Sequence, residues 1–285
     1  MIQSAIKHIT NTAEVPSFST YEERLHPYIR SVFEDIPGSQ EIEVEGNSLI
    51  FQIGDNSDKP FIAVAAHLDK INHYGVDYPK KLPVEITTGQ IEGAMDDCAG
   101  LGMVLALAEK SAEEDWPNML FFFSEMEESK GLKEHPELLR NNGKGYDYGM
   151  GAKRIANRCL ELDLLPELAI TLDTTPLFKG KQGLALYSKH WELNDLDPSG
   201  ELIEQTEKTV ARFIAIDPKI KLDNNTNDFL HYGEEFNQQT TAQPVVSVAL
   251  EPAIYPYHQR GERVFIDDIE RGLDIVSAYL SDTVS

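Results

Sequence analysis

Three stretches of this chain are apolar without interruption and then stop at acids or a histidine. "FIAVAA" (61–66) runs into His67 and Asp69, "MLFFFS" (119–124) into Glu125, Glu127 and Glu128, and "LAITL" (168–172) into Asp173. A fourth, "VVSVALEPAIYPY" (245–257), leads to His258. A strand with one wet face alternates apolar and polar residues, whereas an unbroken apolar run of strand length suits a strand covered on both faces. Amphipathic helical spacing separates these runs at 21–36, 100–110, 151–166, 200–215 and 266–280. Another strand is expected at 183–188, and "EIEVEG" and "SLIFQIG" read as a hairpin around Gly46 and Asn47. The alternation predicts an α/β fold, a three-layer α/β/α sandwich with a mixed, mostly parallel central sheet.

Composition excludes several roles. The chain has 285 residues and a formal charge of −23, so polyanionic nucleic acid is not an expected partner. No apolar run approaches the roughly 20 residues that span a bilayer, so no membrane partner is expected. The N-terminus lacks a basic start followed by an apolar core, which argues against a signal peptide. Two cysteines, Cys98 and Cys159, make no disulfide framework. A reducing cytoplasm is the expected location.

In open α/β sheets, ligands bind outside the carboxyl ends of the strands. Those ends are where this sequence places its histidines and carboxylates. "EGAMDDCAGLG" (92–102) adds Asp96 and Asp97 at a predicted helix start. One aspartate suffices as an N-cap, so the second is free for another task. Two histidines and several carboxylates form a mixed nitrogen and oxygen donor set suited to zinc. Five such ligands are too many for one tetrahedral catalytic zinc, and they suit two metals sharing a carboxylate.

The order and context of these motifs resemble the co-catalytic dizinc exopeptidases, which include single-domain zinc aminopeptidases and the glutamyl and tetrahedral aminopeptidases. The resemblance extends from "PSFSTYEE" to "YPYHQRGERVFIDD". It implies the zinc exopeptidase fold, two zinc ions per chain (cobalt or manganese as substitutes), and hydrolysis of N-terminal residues from peptides. By the same resemblance, His67 and Asp173 ligate the first metal, Glu128 and His258 the second, and Asp96 bridges them. Asp69 orients the His67 ring, and Glu127 is the general base. Asp97 is left for the helix start, and a cis peptide is expected between Asp96 and Asp97. His231 lies in "TNDFLHYGEEF" (226–236), where relatives bring a loop toward the site.

The chain also departs from its relatives. The short span from His67 to Asp96 leaves no room for the extra domain of the tetrahedral enzymes, and no dimerisation domain is evident before His258. One catalytic domain over 1–285 is the expectation. After the glutamate pair, an insertion at about 133–149 precedes the helix that opens at Gly151 and Ala152. It carries Arg140, Lys144, Tyr146 and Tyr148, and reads either as a solvated loop or as a wall of the substrate site that uses Arg140, Tyr146 and Tyr148. Two other functions stay open: a metal-dependent deacylase or carboxypeptidase using Arg140, Arg260 or Arg263 for a free carboxylate, and a metal-free binding relative. A homo-oligomer is compatible with the sequence.

Overall fold

The computed structural model describes residues 1–193, 196–223, 231–239 and 243–283. Its main sheet has eight strands: β1 (Ser39–Ile42), β2 (Leu49–Ile53), β3 (Phe61–His67), β6 (Asn118–Ser124), β7 (Leu168–Leu172), β8 (Leu184–Tyr187), β9 (Lys221–Leu222) and β10 (Val246–Pro252). A second, four-stranded sheet holds β4 (Glu85–Thr87), β5 (Gln90–Gly93), β11 (Ile254–Tyr255) and β12 (Glu262–Phe265). The large sheet runs β1-β2-β6-β3-β7-β10-β8-β9. Its centre, from β6 through β3 and β7 to β10, is parallel, and antiparallel pairs join β1, β2 and β8 to it.

The unbroken apolar strands are explained by what covers each face. Ile62, Val64, Phe121 and Phe123 pack into one core. It is shared with α1 (Ile2–Ala13), α2 (His26–Glu34), α3 (Cys98–Ser111), α7 (Gly200–Ile216) and α9 (Ile266–Thr283). Ala63, Ala65, Leu120 and Phe122 pack into the other, against α5 (Met150–Glu161) and α8 (His231–Gln239). Period-two alternation thus sends neighbouring residues to opposite helical layers, and neither face can tolerate polar groups. Two short helices, α4 (Ser129–Glu134) and α6 (His190–Leu193), complete the helical set among the described residues.

The structure departs from the sequence reading at several elements. The span 21–36 is not one helix: a 3₁₀ turn at Glu22–Arg24 precedes α2, and Glu22 turns inward to accept the Thr20 N–H. The N-terminal segment forms α1, which packs against α3. The four-stranded sheet has no counterpart in the sequence reading, because its strands are two to four residues long and β4 is exposed throughout. Of the stretch 226–236, residues 231–236 are helical and 226–230 lie outside the described residues. No described helix is long and apolar enough to cross a membrane.

Candidate metal centre

Two sheets supply the site. From the large sheet, the C-terminal end of β3 brings His67 and Asp69, the end of β6 brings Glu127 and Glu128, and the end of β7 brings Asp173. The small sheet supplies the rest. Asp96 follows β5, and His258 lies in the loop between β11 and β12. Pairing of β5 with β12, with Glu262 opposite Gly93, brings the two segments together.

The geometry separates into two groups that meet at Asp96. Its Oδ1 lies 3.2 Å from His67 Nε2, and its Oδ2 lies 3.3 Å from His258 Nε2. His67 Nε2 is also 3.5 Å from Asp173 Oδ2 and 3.7 Å from Glu127 Oε2. His258 Nε2 is 3.5 Å from Glu128 Oε2. All of these are buried except His258, whose side chain is 21 % exposed and forms the solvent side. The peptide between Asp96 and Asp97 is cis.

Asp69 organises this arrangement from behind. Its Oδ1 lies 3.4 Å from His67 Nδ1 and accepts the Glu127 N–H at 3.0 Å. Its Oδ2 accepts the Glu128 N–H at 3.1 Å and the Ser19 hydroxyl at 2.8 Å. One carboxylate therefore fixes a ring on β3 and the backbone of two glutamates beyond β6. Asp97 is committed to the backbone. It caps α3 by accepting the Gly100 N–H at 2.7 Å, and its other oxygen accepts the His67 N–H at 3.2 Å.

Sequence reasoning missed two further glutamates. Glu262 Oε2 accepts the N–H groups of Met95 and Asp96, at 2.9 and 3.2 Å. Glu22 accepts from Thr20, Met126 and Asn47. The available signal for Glu262 was an acid at the start of the strand "ERVF", where alternation turns it inward with Val264. Glu125, grouped above with the metal-capable residues, is instead paired with Arg154 at 2.6 Å, because the next side chain along the strand end points to the opposite layer.

Charge in this site is unbalanced. Burial, reinforced by neighbouring carboxylates, pushes Asp97, Asp173 and Glu128 well above the ordinary carboxylate range. Burial acts the same way on Asp96, but hydrogen bonds from His258 and His67 hold it below that range. Burial pulls the His67 imidazole down, yet Asp173 and Glu127, with hydrogen bonds to Asp69 and Asp96, hold it well above its usual value. Burial and then the Asp96 carboxylate raise Glu262 to about 8. Among the described residues, only histidines pair with Asp96, Asp173 and Glu128. Asp173 Oδ2 is buried without a hydrogen-bond donor. Buried oxygens facing histidine nitrogens form a mixed donor set that could hold divalent metal ions. Three overlapping groups bring their donor atoms within 4.8 Å of one another: His67, Asp97 and Asp173; His67, Glu127 and Glu128; Asp96, Glu128 and His258.

The insertion is tied down beside the glutamate pair. The Arg140 guanidinium pairs with Glu23 and lies 4.5 Å above the Tyr21 ring, while the Arg140 backbone N–H donates to Thr20 Oγ1. Tyr146 is half-buried and adds to the charge environment of Arg140. Tyr148 meets His231 edge to face at 4.8 Å, and Gly149 lets the His231 ring approach where a Cβ would lie 3.1 Å from it. His231 in turn lines a narrow cavity with His67, Glu127 and Asp173. Arg140, Tyr146 and Tyr148 do not line that cavity. Of the three, Tyr148 comes nearest, through His231.

The layered sheet with this constellation at its carboxyl edge defines the zinc exopeptidase fold. No protein-family profile matches the sequence, and no curated protein matches it in sequence. Solved structures do match its fold across the whole chain. The TET aminopeptidase of a marine sediment thaumarchaeon superposes with a TM-score of 0.69 at 13% identity, covering 98% of both chains. The aminopeptidase PepT of Bacillus cereus gives 0.66 at 12% identity, covering 100% of this chain and 99% of its own. The TET1 peptidase of Pyrococcus horikoshii, which assembles into a tetrahedron or a large octahedral shell, gives 0.64 at 14% identity, with 97% and 99% covered.

Proposed function

We propose that this protein is a cytoplasmic, zinc-dependent aminopeptidase whose whole chain acts as one catalytic domain. The observation that carries this reading is Asp96, whose two oxygens face the Nε2 atoms of two different histidines at 3.2 and 3.3 Å. In this reading His67 and Asp173 hold one zinc, Glu128 and His258 hold the other, and Asp96 serves both. Asp97 is left out of the ligand set, because both its oxygens already accept backbone N–H groups. When bound, the metals supply Lewis acidity and a lowered pKa for attacking water.

The chain's own residues do the rest. Asp69 Oδ1 lies 3.4 Å from Nδ1 on the far side of the His67 ring, the position from which a carboxylate would hold the tautomer that leaves Nε2 for a metal. Glu127 takes the proton of the attacking water on its carboxylate and delivers it to the leaving amine. It suits that task because Asp69 fixes its backbone while its side chain stays at the edge of the His67 group. The carboxylate-rich floor also accepts the free α-ammonium of a peptide, which favours cleavage at a chain end.

The test combines metal analysis with turnover. Protein purified without chelator is expected to bind two equivalents of zinc and to hydrolyse aminoacyl anilides. Glu127→Gln is expected to keep both zinc ions and lose activity by about 10²–10⁴-fold. Less than one equivalent under zinc excess, or a fully active Glu127→Gln, would overturn the reading.

A further inference from the structure

Three arginines were able, by sequence, to hold a free carboxylate, and the structure separates them. Arg140 is committed to Glu23. Arg263 donates its Nε to Glu92 Oε2 at 2.7 Å. Arg260 has no carboxylate partner among the described residues. Its Nε donates to the His73 carbonyl at 2.8 Å, and its guanidinium carbon lies 4.3 Å from the Tyr74 ring centre. Both contacts fix the group and leave the two terminal nitrogens unused. An arginine held this way loses little further freedom when it grips a carboxylate through both terminal nitrogens.

Its position matters as much as its state. Arg260 follows His258 by two residues and lines one cleft with Phe18, Tyr74, Asp96, Glu128 and Gln259. Asp96 and Glu128 in its wall belong, with His258, to the group that makes the proposed second metal position. His73 is pushed down to about 4, first by burial and then by Lys130, His258, His135 and Arg260. Lys130 and His135 are themselves matched by Glu134 and Glu137, which leaves Arg260 as the cation without a carboxylate partner on this side among the described residues.

We infer that Arg260 is a specificity-determining residue that anchors a carboxylate of the substrate in the cleft beside Glu128 and His258. This rests on the metallopeptidase reading, since only bound divalent cations turn the Asp96 and Glu128 wall from repulsive to attractive for an anion. Two sources share the chemistry: the side chain of an N-terminal aspartate or glutamate, and the free C-terminus of a dipeptide.

Kinetics on the zinc-loaded protein and its Arg260→Ala variant separate them. The first arm compares glutamyl with leucyl p-nitroanilide, and the second compares Leu-Gly with Leu-Gly-amide. In one arm, the kcat/KM ratio favouring the carboxylate substrate is expected to fall at least tenfold in the variant, mainly through KM. Arg260→Lys is expected to recover only part of it, because a point charge cannot grip two oxygens at once. Both ratios unchanged within twofold would overturn the inference. If no substrate is turned over, the peptidase reading fails separately, and calorimetry of L-glutamate and Leu-Gly binding decides. At least fivefold weaker binding of either by the variant supports the anchor. Equal binding, or none to the unsubstituted protein, overturns it.

Discussion

Adjacent residues with the same side chain do different work here because the backbone aims them apart. Asp96 presents both oxygens to histidines, whereas Asp97 spends both on backbone donors, one in α3 and one in β3. Another single residue, His190, carries a pH signature distant from this chemistry. Its two ring nitrogens are buried with no hydrogen-bond partner among the described residues, and burial lowers its pKa to about 4. The unfolded chain binds a proton near pH 6.5 that the folded one refuses down to about 4. Stability is therefore greatest above pH 6.5 and is lost as pH falls through that window. Replacing His190 with leucine is expected to remove about 1–2 kcal/mol of the difference in unfolding free energy between pH 7 and pH 5. Urea titrations at the two pH values measure it, and an unchanged difference would exclude His190 as its source.

At the scale of elements, α3 is the most constrained piece. Twelve of its residues are buried, and its first turn lies against the end of β7. A Cβ on Gly100 would be driven into the Leu172 carbonyl oxygen and the Asp97 carboxylate. Gly→Ala inside a helix ordinarily stabilises by up to about 1 kcal/mol. At Gly100 the steric term is expected to win, destabilising by roughly 1–3 kcal/mol in chemical denaturation. Stabilisation by Gly100→Ala would show that α3 can shift away from β7. The small sheet is the other decisive element. Glu262 on β12 grips the backbone just ahead of Asp96, so two short strand pairs set the distance between Asp96 and His258. The insertion joins the site less directly, through Arg140 on Glu23 and Tyr148 on His231.

For the whole molecule, charge is the governing quantity. Burial and neighbouring carboxylates hold Asp97, Glu128 and Asp173 above the usual carboxylate range, because ionising all of them would add local repulsion to a chain of formal charge −23. Bound divalent cations would relieve the local part. Zinc at about 100 times its dissociation constant contributes roughly 2.7 kcal/mol per site. For a chain of this size that is expected to raise Tm by roughly 4–5 °C per site over the chelator-treated protein. Thermal scans with zinc, then with excess chelator, test this, and a Tm insensitive to both would argue against metal at these residues.

Much of this was legible along the chain because it is local. Unbroken apolar runs are forced between two helical layers, so β3, β6, β7 and β10 and the polar residues at their ends could be read directly from FIAVAA, MLFFFS, LAITL and VVSVAL. The sequence by itself determined the layered α/β class and which residues stand at the strand ends, since burial of a strand and capping of a helix depend on a few neighbouring side chains. Only the tertiary structure decided which of those residues converge. It turned Glu125 to Arg154, set Glu22 and Glu262 behind the site, built the small sheet and left Arg260 without a carboxylate partner among the described residues. Those outcomes depend on pairings between segments as far apart as β5 and β12, where side-chain direction and charge compensation are set by partners the local sequence does not contain.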